Sequence, residues 1–418
     1  MTEQDDINIQ APRHKRRGAF RLLFFALLAI GAGNTMLIAA VLPPLTRELS
    51  LPDWMAGAIF SLSAAMWTIS SPFWGKKSND WGRRPVAALG MAGYAVSMLL
   101  FGISAALALA GYLTGAATIF VCLLLSRSLF GLFGSGTNPA AQAYVADRTD
   151  PSERTEEIAS ISAGFSVGAV AGPAFAAALV ATLGLLSPVF VICAIAALMS
   201  FLIYTRLPEK SQPQRDKNLP PPIIAGEKGL WRDPRIMPYL IYAVGLSLVT
   251  GVLTQTYIFA VMDKLDVEGV AAAQFTGPAF SVGAMATLLA QLVIIPRLKL
   301  SNRTLMMSGA LALCIGALLI IPTKDFAVLV VAQFAIGLGQ GLARPGFSSG
   351  ASLAVGPELQ GNVAGLVISA NGMGFIVSPF FGPWMYEFVH PDAPFYLAAA
   401  LLAGLGIFAW ASKEGVPA

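Results

Sequence analysis

Two positive side chains fall inside long apolar stretches of this 418-residue sequence, Arg127 and Arg344. A charge at membrane depth costs about 2.5–3.5 kcal/mol on insertion scales, so each must face protein or a wet cavity. Arg127 stands twenty residues before Asp147. That is about 30 Å of helix, which puts Arg127 in the outer half of its segment. There it is expected to act as a gate or coupling residue bonded to polar groups on the first helix. Arg344, beside Pro345 in the inner half, is placed either to bind an anionic group or to brace the bundle. Amides dot other apolar stretches. Asn34, Gln255, Gln340 and Asn371 lie near mid-depth, and Asn138 and Gln142 lie deeper toward the inner side. With Tyr257 and Arg344 they form the candidate substrate-binding set, a polar-dotted cavity with apolar walls. Of the 23 acidic residues, none falls securely at mid-span, so Asp80 and Asp147 at the inner rim are the candidate coupling carboxylates.

Other chemistries lack material. Cys122, Cys193 and Cys314 are odd in number and lie in apolar runs, which disfavours disulfides and thiolate metal sites. The two histidines, His14 and His390, lie in polar flanks, leaving zinc and Ser-His catalysis unsupported. Gly164-Phe-Ser-Val-Gly168 and Gly346-Phe-Ser-Ser-Gly350 match G-x-S-x-G by spelling only. That pattern needs a strand-to-helix elbow and a His partner, and these lie in apolar helical stretches. No G-x-x-x-x-G-K-S/T loop occurs, so ATP is not the direct driver. An enzyme is not expected, and no cofactor or metal is.

The elements that must position these residues are membrane helices. Hydrophobic residues make up 56% of the chain and charged ones 12%, against about 25% charged in soluble domains. That composition excludes disorder and nucleic-acid binding. Twelve apolar segments of membrane-spanning length predict an all-α membrane protein. All but five of the 27 Lys and Arg residues fall on one side of the resulting topology. Arg47, Lys264 and Lys324 lie on the other side, and Arg127 and Arg344 within helices. This bias places both termini in the cytoplasm and the chain as a multi-pass protein in the inner or plasma membrane. The expected organisation is a cytoplasmic tail (1–19), a six-helix bundle (20–205), a Pro-rich charged linker (206–235), a second six-helix bundle (236–411) and a short cytoplasmic tail (412–418). At one offset of 206 residues Gly131 aligns with Gly337, Pro139 with Pro345, Gly168 with Gly374 and Pro173 with Pro379. The two bundles therefore read as a tandem repeat of like orientation.

Three motifs carry a family resemblance. Gly75-Lys-Lys-Ser-Asn-Asp-Trp-Gly-Arg-Arg-Pro85 resembles the major facilitator signature G-x-x-x-D-R-x-G-R-R/K. Gly75, Gly82, Arg83 and Arg84 match, while Asn79 stands where the family has Asp and Asp80 where it has Arg. The resemblance implies a conformational-switch loop, with Asp80 taking the carboxylate's place near a helix end. Arg127-Ser-Leu-Phe-Gly131 resembles the family's R-x-x-x-G element. Gly168-Ala-Val-Ala-Gly172-Pro173 resembles its G-x-x-x-G-P antiporter motif. Gly164, Gly168 and Gly172 recur every four residues and make a smooth ridge. With Pro173, that ridge is read as either a hinge or a static close-packed seam.

Together the motifs look most like the twelve-helix drug/proton antiporter branch. The resemblance implies a monomeric secondary transporter in which two six-helix halves rock about a midplane site. It would export a small hydrophobic or amphipathic compound in exchange for protons or another ion. The absence of a mid-span carboxylate keeps a second reading open, an uptake carrier or uniporter without proton coupling. The partners expected are the small-molecule substrate and the lipid bilayer, with no nucleic acid.

Overall fold

The computed structural model describes residues 13–149, 154–209, 227–267, 269–355 and 360–411. Most of the predicted linker and most of both tails lie outside these residues. Among the described residues, twelve long helices follow one another: α1 (Arg17–Glu48), α2 (Asp53–Trp81), α3 (Arg83–Leu109), α4 (Ala116–Ala146), α5 (Arg154–Leu183), α6 (Ser187–Arg206), α7 (Met237–Leu265), α8 (Ala271–Leu298), α9 (Asn302–Ile320), α10 (Phe326–Leu353), α11 (Gln360–Phe388) and α12 (Ala393–Ala411). Eleven are long and apolar enough to cross a membrane. The exception is α2, where Ser61, Ser63, Thr68, Ser70 and Ser71 dilute the apolar residues and Lys76 to Asp80 close the helix.

Two compact units emerge. The first comprises Met1–Leu37 and Leu62–Gln214, the second Ile38–Ser61 and Arg215–Ala418. The tip of α1, the start of α2 and the turn between them thus belong to the second unit.

Within each unit the glycines at the 206-residue offset do the same work. A Cβ on Gly131 of α4 would lie 2.4 Å from the Ser63 carbonyl oxygen of α2. A Cβ on Gly337 of α10 would lie 1.9 Å from the Gly283 carbonyl oxygen of α8. Only a residue without a side chain permits such backbone approach. The ridge on α5 behaves alike. A Cβ on Gly164, Gly168 or Gly172 would meet the carbonyl oxygens of Phe24, Leu28 and Ala32 on α1 at 2.3, 2.0 and 2.4 Å. Gly374 of α11 lies equally close to Ser247 and Leu248 of α7.

Among the described residues, three helices carry a widened π turn, at Leu37–Val41 in α1, Phe130–Gly134 in α4 and Ala290–Ile294 in α8. Such turns concentrate at functional sites. The one in α4 begins three residues after Arg127 and contains Gly131 of the R-x-x-x-G element.

Candidate functional site

The first unit holds a buried polar centre built on four helices. Arg127 is fully buried. Its Nη2 donates to Asn34 Oδ1 on α1, and its guanidinium lies 4.1 Å from the Phe130 ring centroid. Tyr94 of α3, also fully buried, packs its ring 4.7 Å from Phe130. The Trp67 ring of α2 lies 5.0 Å from that of Phe130. Gly33 makes room for this arrangement, since a Cβ there would lie 1.9 Å from Tyr94 Oη. A buried guanidinium is tolerable only with such amide and aromatic partners. Asn34, expected at the substrate, accepts this hydrogen bond from Arg127. The same pairing puts Arg127 against a polar group of the first helix.

The inner rim of this unit carries a second network. Helix α2 runs through to Trp81, so Gly75 is helical and not part of a turn. A Cβ at Gly75 would meet nothing closer than Pro139 Cβ at 3.8 Å. The turn is confined to Gly82, whose φ of 101° favours glycine. The backbone N–H groups of Arg83 and Arg84 open α3 and donate to Glu209 at 3.1 and 2.8 Å. A carboxylate there satisfies orphan donors and complements the helix dipole. The carboxylate at this helix start is therefore Glu209, just past α6. Asp80, like Asn79, stands exposed on the last turn of α2. Arg83 Nε donates to Asp147 Oδ2 at 3.0 Å and its Nη1 to Ser78 Oγ at 2.6 Å. Tyr144 Oη and Arg148 Nη2 both donate to the Pro208 carbonyl, at 3.0 and 2.9 Å. The Pro208-Glu209 pair was missed in the sequence because it sits at the mouth of the linker. Its signal is an acidic residue directly after a helix end.

The remaining predicted residues fall into separate groups. Gln142 Nε2 donates to Asn138 Oδ1 at 3.1 Å, one turn away on α4, and both are half-buried. Gln340 is half-buried and Arg344, one turn on, is exposed. Asn371 is half-buried, with a buried Oδ1 that has no hydrogen-bond partner among the described residues. Two of the expected substrate residues are buried in this structure. Tyr257 is fully buried, donates from Oη to the Leu329 carbonyl at 2.9 Å and packs against Phe280. Gln255 is 3% exposed. Both lie in the packed interior of the second unit, because α7 is buried on every side along this stretch.

A third polar group, unforeseen in the sequence, lies in the second unit. Arg47 at the tip of α1 donates Nε and Nη2 to the two oxygens of Asp53, at 3.1 and 2.8 Å. The same guanidinium bonds the carboxylate of Asp263 near the end of α7, and Tyr386 of α11 donates to that carboxylate at 2.6 Å. Phe259 lies under the guanidinium at 5.2 Å. The Trp54 N–H donates to Glu387 at 3.1 Å, and the Phe380 N–H to Ser61 Oγ at 3.0 Å. Pro383 cannot donate to the Pro379 carbonyl, which leaves that oxygen free in α11. It points at Gly57, where a Cβ would lie 1.8 Å away. Hydropathy carries no sign that residues 53, 263 and 387 converge.

The sequence matches the Major Facilitator Superfamily over residues 23–298 and again over 276–417. The chain belongs to that superfamily. It is therefore a membrane-spanning transporter of small molecules, not an enzyme. It is 24% identical over 404 residues to multidrug resistance protein 2 of Bacillus subtilis (strain 168), covering 94% of each chain. It is 31% identical over 155 residues to the class B tetracycline resistance protein of Escherichia coli, covering 36% of this chain and 34% of that one. The fold resembles a bacterial homologue of the human lysosomal transporter Spinster, solved in an inward-facing, occupied conformation. The TM-score is 0.73 at 15% identity, with 96% of this chain and 97% of that one covered.

Proposed function

We propose that this protein is a monomeric secondary transporter of the cell membrane that exports small hydrophobic or amphipathic compounds by alternating access, in exchange for protons. The observation that carries the export reading is the end-to-end similarity to a multidrug resistance protein, which covers 94% of both chains. The charges set well inside the spans are Arg127 and Arg344. A positive interior disfavours organic cations and suits neutral or anionic amphipaths. We read Arg127 as a positioning residue for the first unit and Arg344, Gln340 and Asn371 as residues that meet the substrate.

The Arg47 group supports proton coupling. Two carboxylates share one guanidinium there, with Glu387 close by. Burial favours the protonated form of Asp53, against the opposing pull of the Arg47 guanidinium. The switch role of the Gly82 turn and the hinge role of the α5 ridge belong to the same reading. So does the placement of both termini in the cytoplasm.

Growth inhibition across a compound panel sorted by charge tests the reading. Cells expressing the protein should tolerate several-fold more of the neutral and anionic amphipaths. Equal sensitivity to every compound, with the protein present in the membrane, contradicts export. Protection confined to cations contradicts the assignment of charge.

A further inference from the structure

Two lengthwise grooves occupy equivalent places in the repeat, one in each unit. The groove in the first unit runs between α3 and α6 and has a volume of about 680 Å³. Its walls along α3 are Pro85, Leu89, Ala92 and Val96, faced by Ala197 and Phe201 of α6. Pro85 to Val96 spans about 16 Å of helix. That equals one leaflet's share of a hydrocarbon core about 30 Å thick. The groove therefore has the length and the apolar surface to seat an acyl chain.

Its mouth is differently built. Trp81 and Tyr204 line it and are 53% and 61% exposed, as aromatic residues at a membrane–water boundary are. Lys77 Nζ stands 4.7 Å from the centroid of the Trp81 ring, and Arg84 Cζ 5.6 Å from that of Tyr204. Arg84 Nε is buried and has no hydrogen-bond partner among the described residues. Its one acidic neighbour there, Glu209, is 3.8 Å away and bonds the start of α3. Arg83 is taken by Asp147 and Ser78, and so is not available to a ligand. Two cations standing over aromatic walls at the end of a leaflet-long apolar groove suit a phosphodiester with acyl chains below it.

The groove in the second unit, between α9 and α12, supplies the contrast. It holds about 570 Å³ and also ends in an exposed tryptophan, Trp410. Among the described residues no cation stacks on that ring.

We propose that the α3–α6 groove is a binding site for an anionic phospholipid, its phosphate held by Lys77 and Arg84 and one chain lying along Leu89, Ala92 and Val96. This goes beyond the transport reading and does not depend on its substrate.

Native mass spectrometry of the full-length protein tests it, with phosphatidylglycerol and phosphatidylcholine of identical chains added in detergent. The wild type should retain phosphatidylglycerol at least five-fold better. Lys77→Gln/Arg84→Gln should lose that preference and leave phosphatidylcholine binding unchanged. Lys299→Gln/Arg303→Gln, which removes two charges elsewhere, should keep it. Equal retention of the two lipids by the wild type overturns the site. So does an undiminished preference in Lys77→Gln/Arg84→Gln, or an equal loss in the Lys299/Arg303 control. A second readout needs no charge variant. Phosphatidylglycerol with brominated chains should quench more tryptophan fluorescence than its phosphatidylcholine counterpart, and Trp81→Phe should remove the excess. Equal quenching by the two lipids contradicts the proposal.

Discussion

At the scale of single residues, the Arg127–Asn34 pair is the test of whether a buried charge is structural currency or a working part. Hydrogen bonds to a charged group contribute about 1.5–3 kcal/mol. In a double-mutant cycle, Arg127→Ala and Asn34→Ala should therefore be non-additive by about 1–3 kcal/mol in thermal unfolding in detergent. Arg127→Ala should also lower transport more than ten-fold at equal expression, and unaltered transport would leave Arg127 a packing residue only. Glu209→Gln should cost about 0.3–1 kcal/mol, since a neutral amide complements the α3 dipole less well. An unchanged melting temperature would contradict the cap. Arg127 was legible in the sequence because a charge in an apolar run has few explanations. Its partner Asn34 was visible too, but an amide can bond protein or substrate with equal ease. The Arg47 group was illegible, because acids at helix ends look solvated until tertiary structure joins them.

At the scale of helices, glycine position carries more information than hydropathy. The ridge on α5 was readable from its four-residue spacing, and its partner α1 was not. Gly168→Ala should destabilise by about 1–3 kcal/mol, because the new methyl must push the Leu28 backbone away. Gly404→Ala on α12 meets nothing within 4 Å and should stay within about 0.5 kcal/mol. Equal melting temperatures for the two variants would refute the seam. The twelve segments were legible because each is a run of apolar residues long enough to span a bilayer. The three π turns were not, since they depend on how neighbouring helices hold the backbone. Gly75 shows the same limit. Its motif suggested a turn, yet Lys76 to Asp80 are compatible with helix and α2 simply continues to Trp81.

At the scale of the whole molecule, the halves were legible from the 206-residue offset. The membership of residues 38–61 in the second unit was not, because a segment's tertiary partners leave no mark on its own periodicity. That hairpin brings Arg47 and Asp53 to Asp263 and supplies what the spans lack, carboxylates near a shared cation. The account stands on coupled transport. Proteoliposomes with an acidic lumen, a pH reporter inside and a fluorescent neutral amphipath outside measure it directly. Substrate should accumulate inside against its own gradient while the lumen alkalinises faster than in substrate-free vesicles, and collapse of the pH difference should stop both. Entry at the same rate with and without the pH difference, or no entry at all, would contradict it.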